Sequence, residues 1–135
     1  MNFLERLLIE WYMYNGYFVK QNIKVGKRKE GGYEGELDII AFNPLEDKLI
    51  HIEASTDSHS WDKREIRFRK KFDLGRAHIP SLFEGLNIPD YIEQRAVFLR
   101  GSNDRNKIGG GDVFWLKDYF KEIEEKLSIK RAKKE

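Results

Sequence analysis

Apolar positions fall at helical spacing from the start of the chain. Phe3, Leu4, Leu7, Leu8, Trp11 and Tyr14 recur so that one face of residues 2–15 is apolar, which predicts a helix capped by Asn2 and ended by Asn15-Gly16. Residues 17–25 (YFVKQNIKV) carry the aromatic and β-branched types of a strand. Residues 26–35 form a basic, glycine-rich turn. Two strands follow at 36–42 and 48–55, joined by an Asn43-Pro44 turn. A second helix spans 61–79, with Ser60 as N-cap and Pro80 as its stop. Residues 80–93 predict an irregular connection or a single helical turn. A strand covers 94–100. Residues 101–112, with four glycines, predict a mobile polar loop. A short strand at 113–115 and a last helix at 116–130 complete the pattern, and the basic tail 131–135 is expected to fray. The order α-β-β-β-α-β-(β)-α predicts an α/β domain over residues 1–130, with a mixed central sheet flanked by helices on both faces.

Composition narrows this picture by exclusion. With 135 residues the chain is sized for one core. The absence of cysteine removes disulfides, zinc-thiolate sites and cysteine nucleophiles. The 25 basic and 23 acidic residues leave a net charge of only +2, so the placement of charge has to speak for any polyanionic partner. No uncharged apolar run approaches membrane-spanning length, and the N-terminal residues lack a signal-peptide pattern. The expectation is a soluble, cytoplasmic domain with no membrane partner.

The most chemical stretch is GELDIIAFNPLEDKLIHIEAS, residues 35–55. Side chains alternate faces along a strand. Glu36 and Asp38 thus share one face of their strand, and His51, Glu53 and Ser55 share one face of theirs. Leu37, Ile39 and Ala41, and likewise Ile50, Ile52 and Ala54, take the opposite faces. Carboxylates of adjacent strands set into an apolar sheet are costly to bury unless a positive charge lies between them. A divalent metal ion held by Asp38 and Glu53 meets that need, with the Ala54 carbonyl as a further oxygen ligand.

This ordered set resembles the PD-(D/E)XK nuclease superfamily, most of all its small Holliday-junction-resolvase-like and restriction-endonuclease-like members. The shared features are an opening helix with a glutamate, a Gly-aromatic strand start at Gly16-Tyr17, G-E-x-D at 35–38 and E-x-S at 53–55. The resemblance covers residues 3–75, and the strand at 94–100 fits the family's next core strand. It implies a restriction-endonuclease-like fold and a Mg (or Mn)-dependent endonuclease acting on duplex or branched DNA. It also implies Asp38 and Glu53 as metal ligands and Glu5, with Glu10 as fallback, as the supporting helix acid. A homodimer is possible on the same basis, with Phe114, Trp115, Tyr119 and Phe120 as candidates for either core or interface.

The sequence departs from the family at one position. Ser55, counted with Glu5, Asp38 and Glu53 among the candidate catalytic residues, stands where the motif ends in lysine, and serine supplies no positive charge. Three readings stay open: the lysine's role has moved to the second helix, with Lys63, Arg64, Arg69 and Lys70 as candidates; the metal alone activates water; or the domain is an inactive relative that binds DNA or serves as a scaffold.

Helix 61–79 is the other informative element. Trp61, Phe68, Phe72, Gly75 and Ile79 fall on one side, and Lys63, Arg64, Arg67, Lys70, Lys71 and His78 on the opposite arc. A one-sided basic face suits contact with phosphates, extended by Lys27, Arg28 and Lys29 in the turn and by Lys130, Arg131, Lys133 and Lys134 in the tail. His51 reads as structural, and His59 and His78 as surface residues. Gly31-Gly32 and Gly109–Gly111 read as turns, since no GK[ST] ending follows either of them.

Overall fold

The computed structural model describes residues 2–100 and 105–134, with side chains described through Ile129. It comprises α1 (Phe3–Tyr14), β1 (Phe18–Lys27), β2 (Tyr33–Asn43), β3 (Lys48–Ser55), α2 (Trp61–Leu82), β4 (Glu93–Phe98), β5 (Lys107–Ile108), β6 (Gly111–Trp115) and α3 (Leu116–Lys134). The strands form one mixed sheet in the order β1-β2-β3-β4-β6-β5. β1, β2 and β3 are antiparallel neighbours, while β3, β4 and β6 run parallel. The crossover from β3 to the parallel β4 is made by α2, as a parallel pair requires.

The helices cover both faces. Leu4, Leu8 and Trp11 of α1 and Leu116 and Tyr119 of α3 pack on Ile39, Ala41, Ile50, Ile52 and Val97. On the other face, Ile79 of α2 meets Val25, Ile40 and Leu49. Phe68 and Phe72 of the same helix meet Ala96, Phe98 and Trp115. Burial of these aromatic and branched side chains, at about 1.5–3 kcal/mol each, is the main force closing the three layers. Trp115 and Tyr119 therefore belong to the core, Phe114 is half-buried beside Arg95, and Phe120 remains exposed. Among the described residues, no helix is long and apolar enough to cross a membrane.

The helix starts follow the capping signals. Asn2 Oδ1 accepts from the Glu5 N–H at 2.8 Å, and Ser60 Oγ from the Lys63 N–H at 3.4 Å. Gly16, at φ +87°, lets the chain turn from α1 into β1. Asn43 Oδ1 accepts from the Leu45 and Glu46 N–H groups and so holds the β2–β3 turn.

Several boundaries differ from the pattern reading. Pro80 lies inside α2, which continues to Leu82. A proline near a helix end breaks little further pairing, and the Ser81 hydroxyl takes the His78 carbonyl at 2.8 Å. Residues 107–115 are a hairpin with Gly109 (φ +56°) and Gly110 (φ +87°) at its two-residue turn, so strand structure begins well before Val113. The turn is tied to α2 by the Gly109 N–H, which donates to Glu65 at 2.6 Å. Residues 101–104 of the expected mobile loop lie outside the described residues. α3 extends through Lys134 rather than ending at 130, and the side chains of the basic tail lie outside those described. Leu37 packs with Val25, Ile40 and Ile79 on the α2 side, not with Ile39 on the α1 side.

Candidate functional site

β2 and β3 pair from Asn43–Lys48 to Ile39–Ile52, and there the ladder stops. The next facing pair is Asp38 and Glu53. Backbone groups released at this fork are taken up by the two carboxylates. Glu53 Oε2 accepts from the Asp38 N–H at 2.8 Å, and Asp38 Oδ2 accepts from the Ala54 N–H at 3.1 Å. The sheet thus opens where the sequence places its acids, and the acids close the hydrogen-bonding deficit that opening creates.

Glu53 is 2 % exposed and is held from behind by a buried relay. Its Oε2 lies 2.9 Å from His51 Nε2, and His51 Nδ1 lies 3.1 Å from Gln94 Nε2. The Gln94 amide nitrogen only donates, and it also donates to the Phe72 carbonyl at 2.8 Å. His51 Nδ1 is therefore the acceptor, and Nε2 carries the hydrogen that points at Glu53. Gly75 makes this relay possible: a Cβ there would overlap the His51 ring and crowd Gln94 Nε2. His51 is thus structural, as its sequence context suggests, and it fixes the rotamer of Glu53.

The positive charge arrives from α2. Lys71 Nζ lies 3.6 Å from Glu53 Oε1 and donates to the Glu36 carbonyl. Although helical spacing puts Lys71 on the basic arc of α2, it is half-buried at the carboxylates. The expected substitutes for the motif lysine, Lys63, Arg64, Arg69 and Lys70, make no contact with Asp38 or Glu53 among the described residues; Lys71 does. Burial, Glu53 and Glu5 push the Asp38 carboxyl up to about 7, although the Ala54 N–H and Lys71 oppose the shift. The cluster therefore carries more negative charge than Lys71 neutralises. Glu5 is half-buried on α1 and acts on Asp38 through its charge, while Glu10 is exposed and pairs with Arg6.

Ser55 has a different task. It is 3 % exposed, and its Oγ donates to Asp57. Asp57 also accepts from Arg64 Nε at 3.4 Å and Arg67 Nη1 at 2.7 Å, which ties the end of β3 to the first turns of α2. Burial alone would raise the Asp57 carboxyl; the Ser55 hydroxyl, the His59 N–H and Arg64 together hold it below its ordinary value. Arg64 is 6 % exposed, with its guanidinium over the Trp61 and Phe98 rings. It is thus a core residue rather than part of an open basic face. Lys63, Arg67 and Lys70 are exposed on α2, and Lys27 and Arg28 are exposed at the β1–β2 turn. His59 is exposed, whereas His78 is half-buried 3.6 Å from Glu34.

The donor chemistry suits a hard cation. Among the described residues, Asp38 Oδ1 accepts no hydrogen bond, and Glu53 Oε1 faces only Lys71. The Ala54 carbonyl leaves β3 on the same side as its N–H, toward Asp38. Two carboxylate oxygens and a carbonyl are ligands that Mg²⁺ or Mn²⁺ favours, with water completing the shell. Among the described residues, no three His, Cys, Asp or Glu side chains converge on a common metal position, so the backbone carbonyl and water are needed. Compared with known proteins, the chain significantly matches no family model, no curated protein and no solved structure.

Proposed function

We propose that this chain is a metal-dependent endonuclease of the PD-(D/E)XK type, with a restriction-endonuclease-like arrangement of its sheet, acting on duplex or branched DNA. One observation carries the reading: Lys71 meets Glu53 at the β2–β3 fork, where the motif lysine is missing from β3. Asp38, Glu53 and the Ala54 carbonyl would hold Mg²⁺ or Mn²⁺. Such an ion, when bound, polarises a phosphate oxygen and lowers the pKa of a water ligand.

The chain's own residues account for the rest of the chemistry. Glu53 is locked through Oε2 by His51 and by the Asp38 N–H, which leaves its Oε1 beside Lys71. Lys71 supplies an ammonium that orients the attacking water and offsets charge gathering on the phosphate. Water attacks phosphorus, the phosphodiester P–O bond to the leaving oxygen breaks, and a phosphate monoester and a hydroxyl result. Lys63, Arg67 and Lys70 contact the DNA backbone, which positions the duplex without reading its bases.

The test is cleavage of supercoiled plasmid and of a four-way junction with Mg²⁺, Mn²⁺ or chelator. The proposal expects nicking only with metal, abolished in Asp38→Ala and Glu53→Ala. Salt-sensitive DNA binding with no nicking under any metal would replace it by a binding module that keeps the fold.

A further inference from the structure

The β1–β2 ladder outruns the rest of the sheet. β2 leaves β3 after Ile39, yet its pairing with β1 continues through Ile23–Leu37, Lys24–Glu36 and Val25–Gly35 to Lys27–Tyr33. Beyond Asp38, among the described residues, β1 and β2 therefore pair as a two-stranded ribbon with no third strand hydrogen-bonded to it. α2 grips the root of this ribbon: Leu74 packs closely against Gly35, Lys71 holds the Glu36 carbonyl, and His78 faces Glu34 at 3.6 Å. From residue 27 to residue 34 every side chain is exposed.

The tip is ordered and basic. The Arg28 N–H donates to the Gly32 carbonyl at 3.0 Å, and the Gly31 N–H to the Arg28 carbonyl at 3.1 Å. Lys24 lies over the Tyr33 ring at 5.9 Å. Lys27, Arg28 and Lys29 face outward at the tip with Glu30 as the one acid among residues 27–33, while Glu36 lies opposite Lys24 at the base and Glu34 pairs with His78. Val25 anchors the base of the ribbon in the core, and from Lys27 onward its exposed end, closed by a tight turn and carrying Lys27, Arg28 and Lys29, makes a projection complementary to a polyanion.

We propose that residues 27–33 enter the major groove of B-form DNA, and that this ribbon makes the protein discriminate B-form from A-form duplexes. Strands about 4.8 Å apart, with their side chains, form a ribbon on the order of 10 Å across. That fits the major groove of B-DNA, about 12 Å wide, and exceeds the minor groove, about 6 Å. The major groove of an A-form RNA duplex is too deep and narrow to admit it. Five residue steps separate Asp38 from Tyr33, which is about 17 Å along the ribbon at roughly 3.3 Å per residue. This is about half a turn of B-DNA, so a phosphate held at Asp38 and the groove entered by the tip belong to one continuous duplex. The inference rests on the nuclease reading for the polymer it names.

Arg28→Ala/Lys29→Ala is compared with Lys117→Ala/Lys121→Ala, which removes equal charge from exposed positions of α3 on the opposite face of the sheet. Binding is followed by anisotropy in chelator across a salt series, using labelled DNA and RNA duplexes of one sequence, each longer than two helical turns. The ribbon variant should lose about tenfold or more in DNA affinity and about 1.8 in salt slope, at roughly 0.9 per phosphate contact. Its RNA affinity should be unchanged. The inference is overturned if the ribbon variant behaves as the α3 variant does, or if it loses DNA and RNA affinity in equal proportion. In either case intact plasmid nicking leaves the nuclease reading standing. A wild-type protein that neither binds nor nicks DNA overturns both.

Discussion

The Asp38 N–H donates to Glu53 Oε2 across 2.8 Å at the point where β2 parts from β3. With the return bond from the Ala54 N–H to Asp38 Oδ2, each acid satisfies backbone at the other's strand. The acids are thus part of the fork's structure as well as its chemistry. This coupling sets the terms on which each can be changed.

Asp38 is the acid whose charge the fold resists. Its carboxyl is pushed from 3.8 to about 7, so between these values the folded protein binds a proton that the unfolded chain has released. Stability of the metal-free protein therefore falls as pH rises from about 4 to about 7 and stays low above that. Asp38→Asn keeps an acceptor for the Ala54 N–H and removes the charge. In chelator at pH 8 it should be more stable than wild type by about 2–4 kcal/mol, a gain that vanishes near pH 4. Thermal melts at the two pH values check this; equal midpoint differences at both would contradict it. Millimolar Mn²⁺ should raise the wild-type midpoint at pH 8 and leave Asp38→Asn unmoved.

Gly75 guards the relay behind Glu53. A methyl group at this position overlaps His51, which is fully buried and cannot retreat. Gly75→Ala should cost about 1–3 kcal/mol despite alanine's better helix propensity, and it should lower cleavage by moving His51 off Glu53. His51→Leu tests the same link from the other end. It strips one donor from a buried carboxylate and should destabilise by about 1–3 kcal/mol. Urea unfolding that finds either variant as stable as wild type would remove the relay from the account.

Ser55 anchors Asp57. Ser55→Ala should lose about 1 kcal/mol and retain cleavage within a few-fold of wild type. The loss belongs to the pH range above the ordinary Asp57 value and fades as acid protonates the carboxylate, because the fold holds that group low. Loss of nicking in a folded Ser55→Ala protein would mean that the hydroxyl takes part in the chemistry.

Much of this organisation is legible in the chain. The strand at 48–55 and the start of α2 at Trp61 fall where alternation and the Ser60 cap put them. The pairing of Asp38 with Glu53 follows from the same alternation, since adjacent strands joined by a short turn bring facing residues together. What resists reading is tertiary. A helical wheel assigns Lys71 and Arg64 to the polar arc, but the wheel does not know that the β1–β2 ribbon covers one flank of α2. Leu74, an apolar residue amid that basic stretch, is the available signal: with Lys71 and His78 it marks the stripe that meets Glu36, Gly35 and Glu34. Arg64 is drawn inward by Asp57, whose partners become adjacent only once β3 and α2 have docked. The β5–β6 hairpin is hidden because its two-residue turn consists of glycines within a loop-like composition.

We propose that Lys71 does from α2 what a lysine in place of Ser55 would do from β3. The most direct measurement is the single-turnover nicking rate of Lys71→Ala with Mn²⁺, alongside its affinity for the same DNA. The rate should fall about 10²–10³-fold below wild type, the scale of removing one charge-stabilising group, with affinity within a few-fold and the fold intact. Nicking at the wild-type rate by Lys71→Ala would contradict it.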